Sequence, residues 1–475
     1  MSQNRMIKNI QQGRGRRPFP WRWLLAAAVA LPLAGCDVDS LLDVPDPDVA
    51  TPGSLDNPAG LPVLLAGAIG DFQVAYTGTS AARNSPEGII NMSGLLADEW
   101  IYVSTFPTRI EVDQRTVQRT NSTMETIHRN LQRARASAER AAEAYARLSP
   151  NAIGRAEALN LAGFSYVLLS ESYCSGVPIS SLTATGIAQF GPPLTSDQLY
   201  ERAVAKFDTA LTIANAAGSG AAAVTQQNMA KVGRGRALLN LNRAADAAMA
   251  VAGVPTNFVY NISNSENTGR QQNGIFVLNQ VGRRVSVTDR EGDVGLPYRS
   301  SNDPRVPQAR GTGNLATSDQ GFPLFLELKY PARAADVVLA SGVEARLIEA
   351  EAALRTPAGG NYLQILNALR ASPPSNIYPT ATYPRIASLT SLTDPGTQAA
   401  RVDLLFQERA YWTWLTSHRL GDMRRLIRQY NRPQQSVFPS GAYFRGGEYG
   451  PDVNFPIPVD EENNPGAGQC IDRNA

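Results

Sequence analysis

The sequence predicts a mainly α-helical protein, in which pairs of helices repeat along the chain and a loop-rich second half contains minor β-structure. Alanine-rich segments place apolar residues three and four positions apart, which is the period of one helix face. Between them lie long stretches rich in Gly, Pro, Asn and Ser, a composition typical of loops. The chain has 475 residues, which is too long for one ordinary core of about 250–300 residues unless repeats extend that core in one direction.

The N-terminus has the charge and hydropathy profile of a secretory signal. Residues 1–22 carry six basic residues and no acidic ones, and an apolar run follows from Trp23 to Ala34. An α-helix needs about 20 residues to cross a bilayer, and Pro32 interrupts the end of this shorter run. We therefore do not expect a permanent membrane helix here.

The segment Leu33-Ala34-Gly35-Cys36 resembles a bacterial lipobox. It predicts a lipoprotein signal peptide over residues 1–35 and a diacylglycerol on Cys36, whose acyl chains, such as palmitate, anchor the protein at about 0.8 kcal/mol per buried methylene. Two alternatives stay open: an ordinary secretory signal that contains a cysteine, and a twin-arginine signal at Arg16-Arg17. Residues 36–60 combine prolines and glycines with acidic residues and predict a flexible tether.

The charge balance gives no indication of a nucleic-acid partner. Removal of residues 1–35 takes six basic and no acidic residues from the 44 and 42 of the whole chain, which leaves a net charge of about −4. The mature sequence has no basic stripe with interleaved aromatic residues, so we exclude nucleic-acid binding.

Helix pairs account for most of the remaining chain. The first pair is predicted over 125–148 and 156–173, with Ser149-Pro150-Asn151 as the break, and further helices over 195–217 and 225–252. The segment GRGRALLNLNRAADAAMAVAGVP resembles a tetratricopeptide unit, so Gly233-Arg234-Gly235 is interpreted as a close-packing point, not a phosphate loop. Two more pairs are predicted, 341–355 with 362–369 and another within 397–428.

These patterns predict one folded domain over 61–475. Its helical repeat core comprises about 120–252 and 335–428, and the loop-rich insertions comprise 253–332 and 429–475. Ile275-Phe276-Val277-Leu278 and Val285-Ser286-Val287 predict short strands within the first insertion. Long irregular segments on a helical scaffold are where binding usually occurs.

The sequence contains little catalytic chemistry. Its only histidines, His128 and His418, both fall in predicted helices, which excludes a His-rich zinc site and leaves few options for a Ser/His/Asp triad. We predict no catalytic residues, no metal and no cofactor. A pair of catalytic carboxylates of the glycosidase type stays an open alternative, because the sequence does not distinguish any one pair of acidic residues from the others.

Aromatic residues outside the helical periods are the candidates for ligand contact, because they present flat faces to sugar rings or peptide side chains. In ADEWIYVSTFPTR these are Trp100, Tyr102 and Phe106, and in PSGAYFRGGEYG they are Tyr443, Phe444 and Tyr449. Partial burial of each group is the alternative. Trp412 and Trp414 are instead assigned to helical core packing.

Two cysteines remain after Cys36 is acylated. In an oxidising compartment Cys174 and Cys470 can form a disulfide that joins the C-terminal tail to the helical body. Two free thiols are an equal alternative.

Three segments of the C-terminal third resemble, in order, the hallmark blocks of the SusD/RagB-like family of nutrient-binding outer-membrane lipoproteins. They are EARLIEAEAALR (Glu344 to Arg355), FQERAYWTWLTSHRLGDMRRL (Phe406 to Leu426) and FPIPVDEENNP (Phe455 to Pro465). With the lipobox, the tether and DPRVP (Asp303 to Pro307), the similarity covers nearly the whole mature chain.

Each block also has a physical interpretation. In the first, Glu344, Glu349 and Glu351 are expected to be partly solvated beside a buried apolar face. The second suggests an ion-pair network that holds the last helix, formed by Glu408, Arg409, Arg419, Asp422 and Arg424. In the third, Phe455-Pro456-Ile457-Pro458 is expected to be a stiff extended stretch that docks its apolar side chains.

The resemblance implies a superhelix of tetratricopeptide-like helix pairs. It also implies a surface-exposed outer-membrane lipoprotein that binds a nutrient, most readily an oligosaccharide, and acts as the lid of a SusC-like TonB-dependent transporter. Three alternatives stay open: a peptide-binding member of the same family, a helical-repeat scaffold of the envelope, and an all-helical hydrolase.

Overall fold

A computed structural model describes residues 55–80, 87–182, 187–356, 359–377, 386–466 and 468–475. The described residues belong to one compact unit, Pro52–Ala475. The predicted signal peptide, Cys36 and the tether up to residue 54 lie outside the described residues. Among the described helices, none has the length and apolarity needed to span a membrane.

The protein is mainly α-helical, and the described residues contain thirteen α-helices. They are α1 Leu61–Thr77, α2 Ile89–Leu96, α3 Pro107–Asp113, α4 Ser122–Leu148, α5 Ile153–Ser172, α6 Ser196–Ala216, α7 Ala221–Asn240, α8 Ala244–Val251, α9 Gly274–Phe276, α10 Gly342–Leu354, α11 Tyr362–Ala371, α12 Gln398–Trp412 and α13 Arg419–Tyr430.

Helices α4 to α8 pack against one another in chain order, as the repeat pattern predicts. The predicted apolar seam of α4 is buried, including Leu131, Ala138 and Tyr145. Two of these helices begin with a side-chain cap: Asn121 caps α4 by accepting from Met124 N, and Thr195 forms a capping box with Gln198 at α6.

Glycines allow α5, α6 and α7 to approach closely around one ring. A Cβ on Gly163 of α5 would lie 2.7 Å from the Phe207 ring of α6, and a Cβ on Gly233 of α7 would lie 2.3 Å from it. A Cβ on Gly235 would lie 2.5 Å from Val251. The prediction that Gly233 and Gly235 are close-packing points is therefore confirmed.

The β-structure consists of short antiparallel pairs. The ten strands in the described residues are β1 Trp100–Tyr102, β2 Val177–Pro178, β3 Ser181–Leu182, β4 Ala188–Gln189, β5 Pro193–Leu194, β6 Val259–Ile262, β7 Val285–Val287, β8 Gln308–Arg310, β9 Phe325–Glu327 and β10 Val337–Ser341. They pair as β1 with β7, β2 with β5, β3 with β4, β6 with β10 and β8 with β9.

Several local predictions were wrong. Residues 275–278 are helical, because α9 continues into a π-helix, Val277–Val281, started by the Asn273 side chain, which accepts from Ile275 N and Phe276 N. Residues 100–102, expected in a loop, form β1. Helices α1 to α3 were not predicted, and α2 shows the reason: all eight of its residues are buried, so it has no polar face and no amphipathic period.

The C-terminal tail is attached to the helical body. A disulfide joins Cys174, just after α5, to Cys470. Phe455 forms a bridge with Tyr173, and both Phe455 and Ile457 are fully buried. The predicted docking of this extended segment is therefore confirmed.

The predicted ion-pair network around α13 is confirmed for Arg409 and Asp422, which are joined by Arg425 and Glu351, whereas the other predicted members have separate partners. Asp422 lies 2.9 Å from both Arg409 and Arg425. Glu408 pairs with Arg305, and Arg419 pairs with Asp98 of the α2–β1 turn. Arg424 forms hydrogen bonds to backbone carbonyls at the end of α5.

Burial of two glutamates in α10 corrects a second expectation. Glu344 and Glu351 are 1% and 0% exposed, where partial solvation was expected. Glu351 lies 2.9 Å from Arg425, and Glu344 lies 3.0 Å from His418, the N-cap residue of α13. Because buried carboxylates require partners, these contacts explain why the family-like blocks are rich in both charges.

Candidate ligand-binding site

A cavity of about 600 Å³ lies among the loop-rich insertions. It opens to solvent, because the lining residues Arg290, Arg310, Pro323, Ala442 and Phe444 are exposed. Its volume is within the range of about 300–1,000 Å³ that is typical of small-molecule sites.

The β1–β7 pair forms one side of the cavity. Ile101 and Ser286 are register partners and both line the cavity, as do Val103 and Thr288, which directly follow β1 and β7. Side chains alternate across a strand, so Trp100 and Tyr102, the neighbours of Ile101, point to the opposite face. This two-residue period separates the cavity lining from the core.

The β8–β9 pair supplies an aromatic ring with cations on it. Arg310 and Phe325 are register partners, and the Arg310 guanidinium carbon lies 5.3 Å from the Phe325 ring centroid. The Arg299 guanidinium carbon lies 3.9 Å from the same centroid. Ser286 connects this wall to β7 by accepting from Phe325 N and donating to Pro323 O.

The glycine-rich segment of the C-terminal insertion forms the remaining wall. Phe444 packs edge to face on Phe322 at 5.6 Å and on Tyr443 at 4.9 Å, and Tyr443 packs on Tyr449 at 5.2 Å. The turn between these residues uses Gly446 and Gly447 at φ values of 103° and 77°, a region that favours glycine. Rings from two insertions therefore meet in one cluster.

Two buried carboxyl groups lie beneath the aromatic cluster. Tyr443 donates to Asp113 Oδ2 at 2.6 Å, and Tyr449 donates to Glu291 Oε1 at 3.2 Å. Burial raises the pKa of Asp113 to about 7. Burial, together with the charges of Asp113 and Asp98, raises the pKa of Glu291 well above its ordinary value.

The aromatic residues that the sequence predicts as ligand contacts lie in different environments in the structure. Tyr449 lines the cavity and is half-buried, whereas Tyr443 is buried and supports it from below. Trp100 and Tyr102 are fully buried, with Trp100 6.5 Å from Trp414, so neither reaches a ligand in this conformation. Phe106 is 40% exposed and lies between Arg109 and Arg284, outside the cavity lining.

Sequence reasoning missed most of the lining residues, including Phe322, Phe325, Arg299, Arg310 and Glu291. The available signal was their position in 253–332, one of the two insertions predicted to carry binding. The residues of the cavity are contributed by positions from 101 to 449, and such distant contacts leave no local pattern. The described residues contain no group of three or more His, Cys, Asp or Glu that could hold a metal ion.

Solved structures of SusD-like proteins share this fold. A SusD-superfamily protein from Bacteroides thetaiotaomicron has a TM-score of 0.62 and 13% identity, covering 88% of this chain and 100% of that chain. Surface glycan-binding protein A from the same species, solved in complex with laminarihexaose, has a TM-score of 0.61 and 14% identity, covering 87% and 99%. A SusD-like protein from Bacteroides fragilis has a TM-score of 0.60 and 12% identity, covering 89% and 98%.

The predicted superhelical fold is therefore confirmed: this chain has the SusD-like fold over nearly the whole described length. No model of a protein family matches the sequence, and no curated protein matches it.

Proposed function

We propose that this chain is a SusD/RagB-family lipoprotein of the outer membrane that captures a glycan and delivers it to a TonB-dependent transporter. In this proposal Cys36 carries the lipid anchor, the tether spaces the body from the membrane, and the body acts as the lid of the transporter without catalysing a reaction. The SusD-like fold, the lipobox and the three sequence blocks support this assignment together.

The observation that carries the proposal is the solvent-open cavity and its mixture of aromatic and polar groups. The apolar faces of sugar rings pack on aromatic rings, and Phe325, Phe444 and Tyr449 supply such surfaces here. Hydroxyl groups of a sugar need donors and acceptors, and Ser286, Thr288, Asp289 and three arginines line the same cavity. Among the structural neighbours, one is described as a laminarin-binding SusD-like protein.

Binding can be tested by calorimetry with a panel of neutral and acidic hexasaccharides. We expect at least one to bind the full chain and Phe325→Ala to weaken that binding about tenfold, because an aromatic platform contributes about 1.4 kcal/mol or more. Phe190→Ala is the matched control, since Phe190 is 55% exposed and lies outside the cavity lining. If no hexasaccharide binds, the glycan assignment is wrong.

The transporter partnership needs a separate experiment. The tagged lipoprotein should be purified in mild detergent from its own outer membrane, and Cys36→Ala should be processed in parallel. We expect a stoichiometric TonB-dependent barrel with the natural protein and loss of membrane attachment in the variant. Co-purification of assembly proteins without a barrel would favour the envelope-scaffold alternative.

A further inference from the structure

The three arginines that line the cavity have no ion-pair partner among the residues that the structure describes. Arg290, Arg299 and Arg310 all line the cavity, and none forms an ion pair with any residue that the structure describes. Buried arginines elsewhere in the described residues are paired by contrast: Arg305 lies 2.6 Å from Glu408, and Arg409 lies 2.9 Å from Asp422. The cavity therefore holds cations whose charge the protein itself does not neutralise.

The guanidinium groups of Arg299 and Arg310 both lie against the ring of Phe325. Their guanidinium carbons lie 3.9 Å and 5.3 Å from the Phe325 centroid, which holds two like charges beside each other. Burial lowers the pKa of Arg299, Asp289 raises it, and the nearby charge of Arg310 lowers it further. Arg299 Nε is buried without a hydrogen-bond partner in the described residues, so it has an unused donor.

The carboxyl groups of the cavity do not balance these cations. Asp289 uses Oδ1 to accept from the backbone nitrogens of Arg299 and Ser300 and from the Ser300 hydroxyl. Glu291 is 5% exposed, burial raises its pKa well above the ordinary value, and its Oε2 has no partner in the described residues. The lining thus has three guanidinium groups and two carboxyl groups, so its basic groups outnumber its acidic ones.

We propose that the ligand of this cavity is an acidic glycan, whose carboxylate or sulfate group is held by Arg299 and Arg310 while a sugar ring packs among the cavity's aromatic rings. Planar guanidinium groups bind both anions through paired hydrogen bonds. The anion would also relieve the repulsion between the two arginines. This inference rests on the proposed glycan-binding function and specifies its ligand class.

The whole mature chain has a net charge of about −4, so non-specific attraction does not favour a polyanion. Binding of an acidic glycan would therefore depend on the local charge of the cavity.

The test compares size-matched hexasaccharides by calorimetry in 0.15 M NaCl with the full chain. Hexagalacturonate carries carboxylates, a carrageenan hexasaccharide carries sulfates, and laminarihexaose and maltohexaose are neutral. Arg299→Gln/Arg310→Gln is the test variant, and Arg133→Gln on the exposed surface of α4 is its control. An unchanged thermal unfolding temperature would show that the double variant folds, and Arg310→Lys would show whether charge alone suffices.

We expect an acidic hexasaccharide to bind, its affinity to fall about tenfold or more in the double variant and with rising salt, and Arg133→Gln to leave it unchanged. Binding of hexagalacturonate would indicate that the ligand carries carboxylates, and binding of the carrageenan hexasaccharide would indicate that it carries sulfates. Binding of a neutral hexasaccharide that is indifferent to Arg299→Gln/Arg310→Gln would overturn this inference and leave the proposed function standing. Hexa-aspartate serves as an acidic peptide control. If it is the only probe that binds, or if no probe binds, both the inference and the proposed function are wrong.

Discussion

Neighbouring residues of β1 have opposite roles. Trp100 is fully buried beside Trp414, whereas Ile101 lines the cavity. The Glu99 carboxylate just before the strand accepts from Leu415 N at 2.8 Å, which joins this region to the turn after α12. Trp100 therefore supports the cavity through the core and does not contact its contents.

Trp100→Ala should destabilise the fold by about 3–5 kcal/mol, because it removes a large buried side chain and leaves a void. Urea unfolding measures this loss. Ile101→Ala is the comparison: it should alter glycan binding more than stability. A loss below about 1 kcal/mol for Trp100→Ala would show that the ring is not the core residue described here.

At the scale of elements, the stack of α5, α6 and α7 depends on glycines that contact Phe207. Alanine is the better helix former by about 1 kcal/mol, so a glycine retained inside a helix indicates a packing requirement. Gly233 meets that requirement, since its added Cβ would lie 2.3 Å from the ring. Gly70 of α1 does not, since nothing lies within 4 Å of an added Cβ.

Gly233→Ala should therefore destabilise the protein by about 1–3 kcal/mol through overpacking, despite its gain in helix propensity. Gly70→Ala should be neutral or stabilising by up to about 1 kcal/mol. Chemical unfolding of the two variants beside the natural protein compares the same substitution in two helices. Equal effects would contradict the close contact at Phe207.

At the scale of the whole molecule, the disulfide closes a loop with a sequence separation of 296 residues. Cys174→Ser/Cys470→Ser should lower the free energy of unfolding by about 2–4 kcal/mol, because the unfolded chain regains conformational freedom. Urea unfolding with and without reductant measures this. Reductant should affect only the natural protein, and peptide mass spectrometry without reduction should find the Cys174–Cys470 link. Two free thiols would contradict the structure.

Buried ion pairs predict a loss of stability in acid. Burial opposes ionisation of Asp422, but Arg409 and Arg425 outweigh it and hold its pKa below the ordinary value of 3.8. In the same way Arg425 and Arg409 outweigh burial and lower the pKa of Glu351 from 4.5. A lowered pKa means that the stabilisation is present above the unfolded value and is lost as the pH falls below about 4.5.

We expect the free energy of unfolding to drop between pH 5 and pH 2.5. Asp422→Asn should cost about 3–5 kcal/mol at pH 6, because two buried guanidinium groups lose their shared partner, and should reduce the drop in acid. Urea unfolding of the natural protein and of Asp422→Asn at pH 6 and at pH 2.5 measures both effects. If the drop in the free energy of unfolding at acid pH is the same in Asp422→Asn, protonation of Asp422 does not cause that drop.

Two other buried carboxyl groups, those of Glu99 and Glu327, make the fold less stable as the pH rises. Burial raises the pKa of both Glu99 and Glu327 to about 8, so the folded state retains these protons and their contribution is lost as the pH rises from 4.5 towards 8. The charges of Glu99 and Glu327 both act on Lys329, but burial lowers its pKa to about 7. Because this pKa lies below the unfolded value of about 10.5, Lys329 makes the fold more stable as the pH rises above 7. The free energy of unfolding therefore depends on buried ionisable groups both below and above neutral pH.

The sequence by itself determined the helical repeats, because an amphipathic helix such as α4 records its buried face in local spacing. It also determined Gly233 as a packing point and the docking of Phe455, since small residues and prolines act on the local backbone. The tertiary structure alone decided the cavity. Whether Trp100 or Ile101 faces a ligand depends on what covers each side of β1, and Arg299, Phe325 and Tyr449 meet only after distant segments fold together. Such contacts have no local period, so no short stretch of the sequence records them.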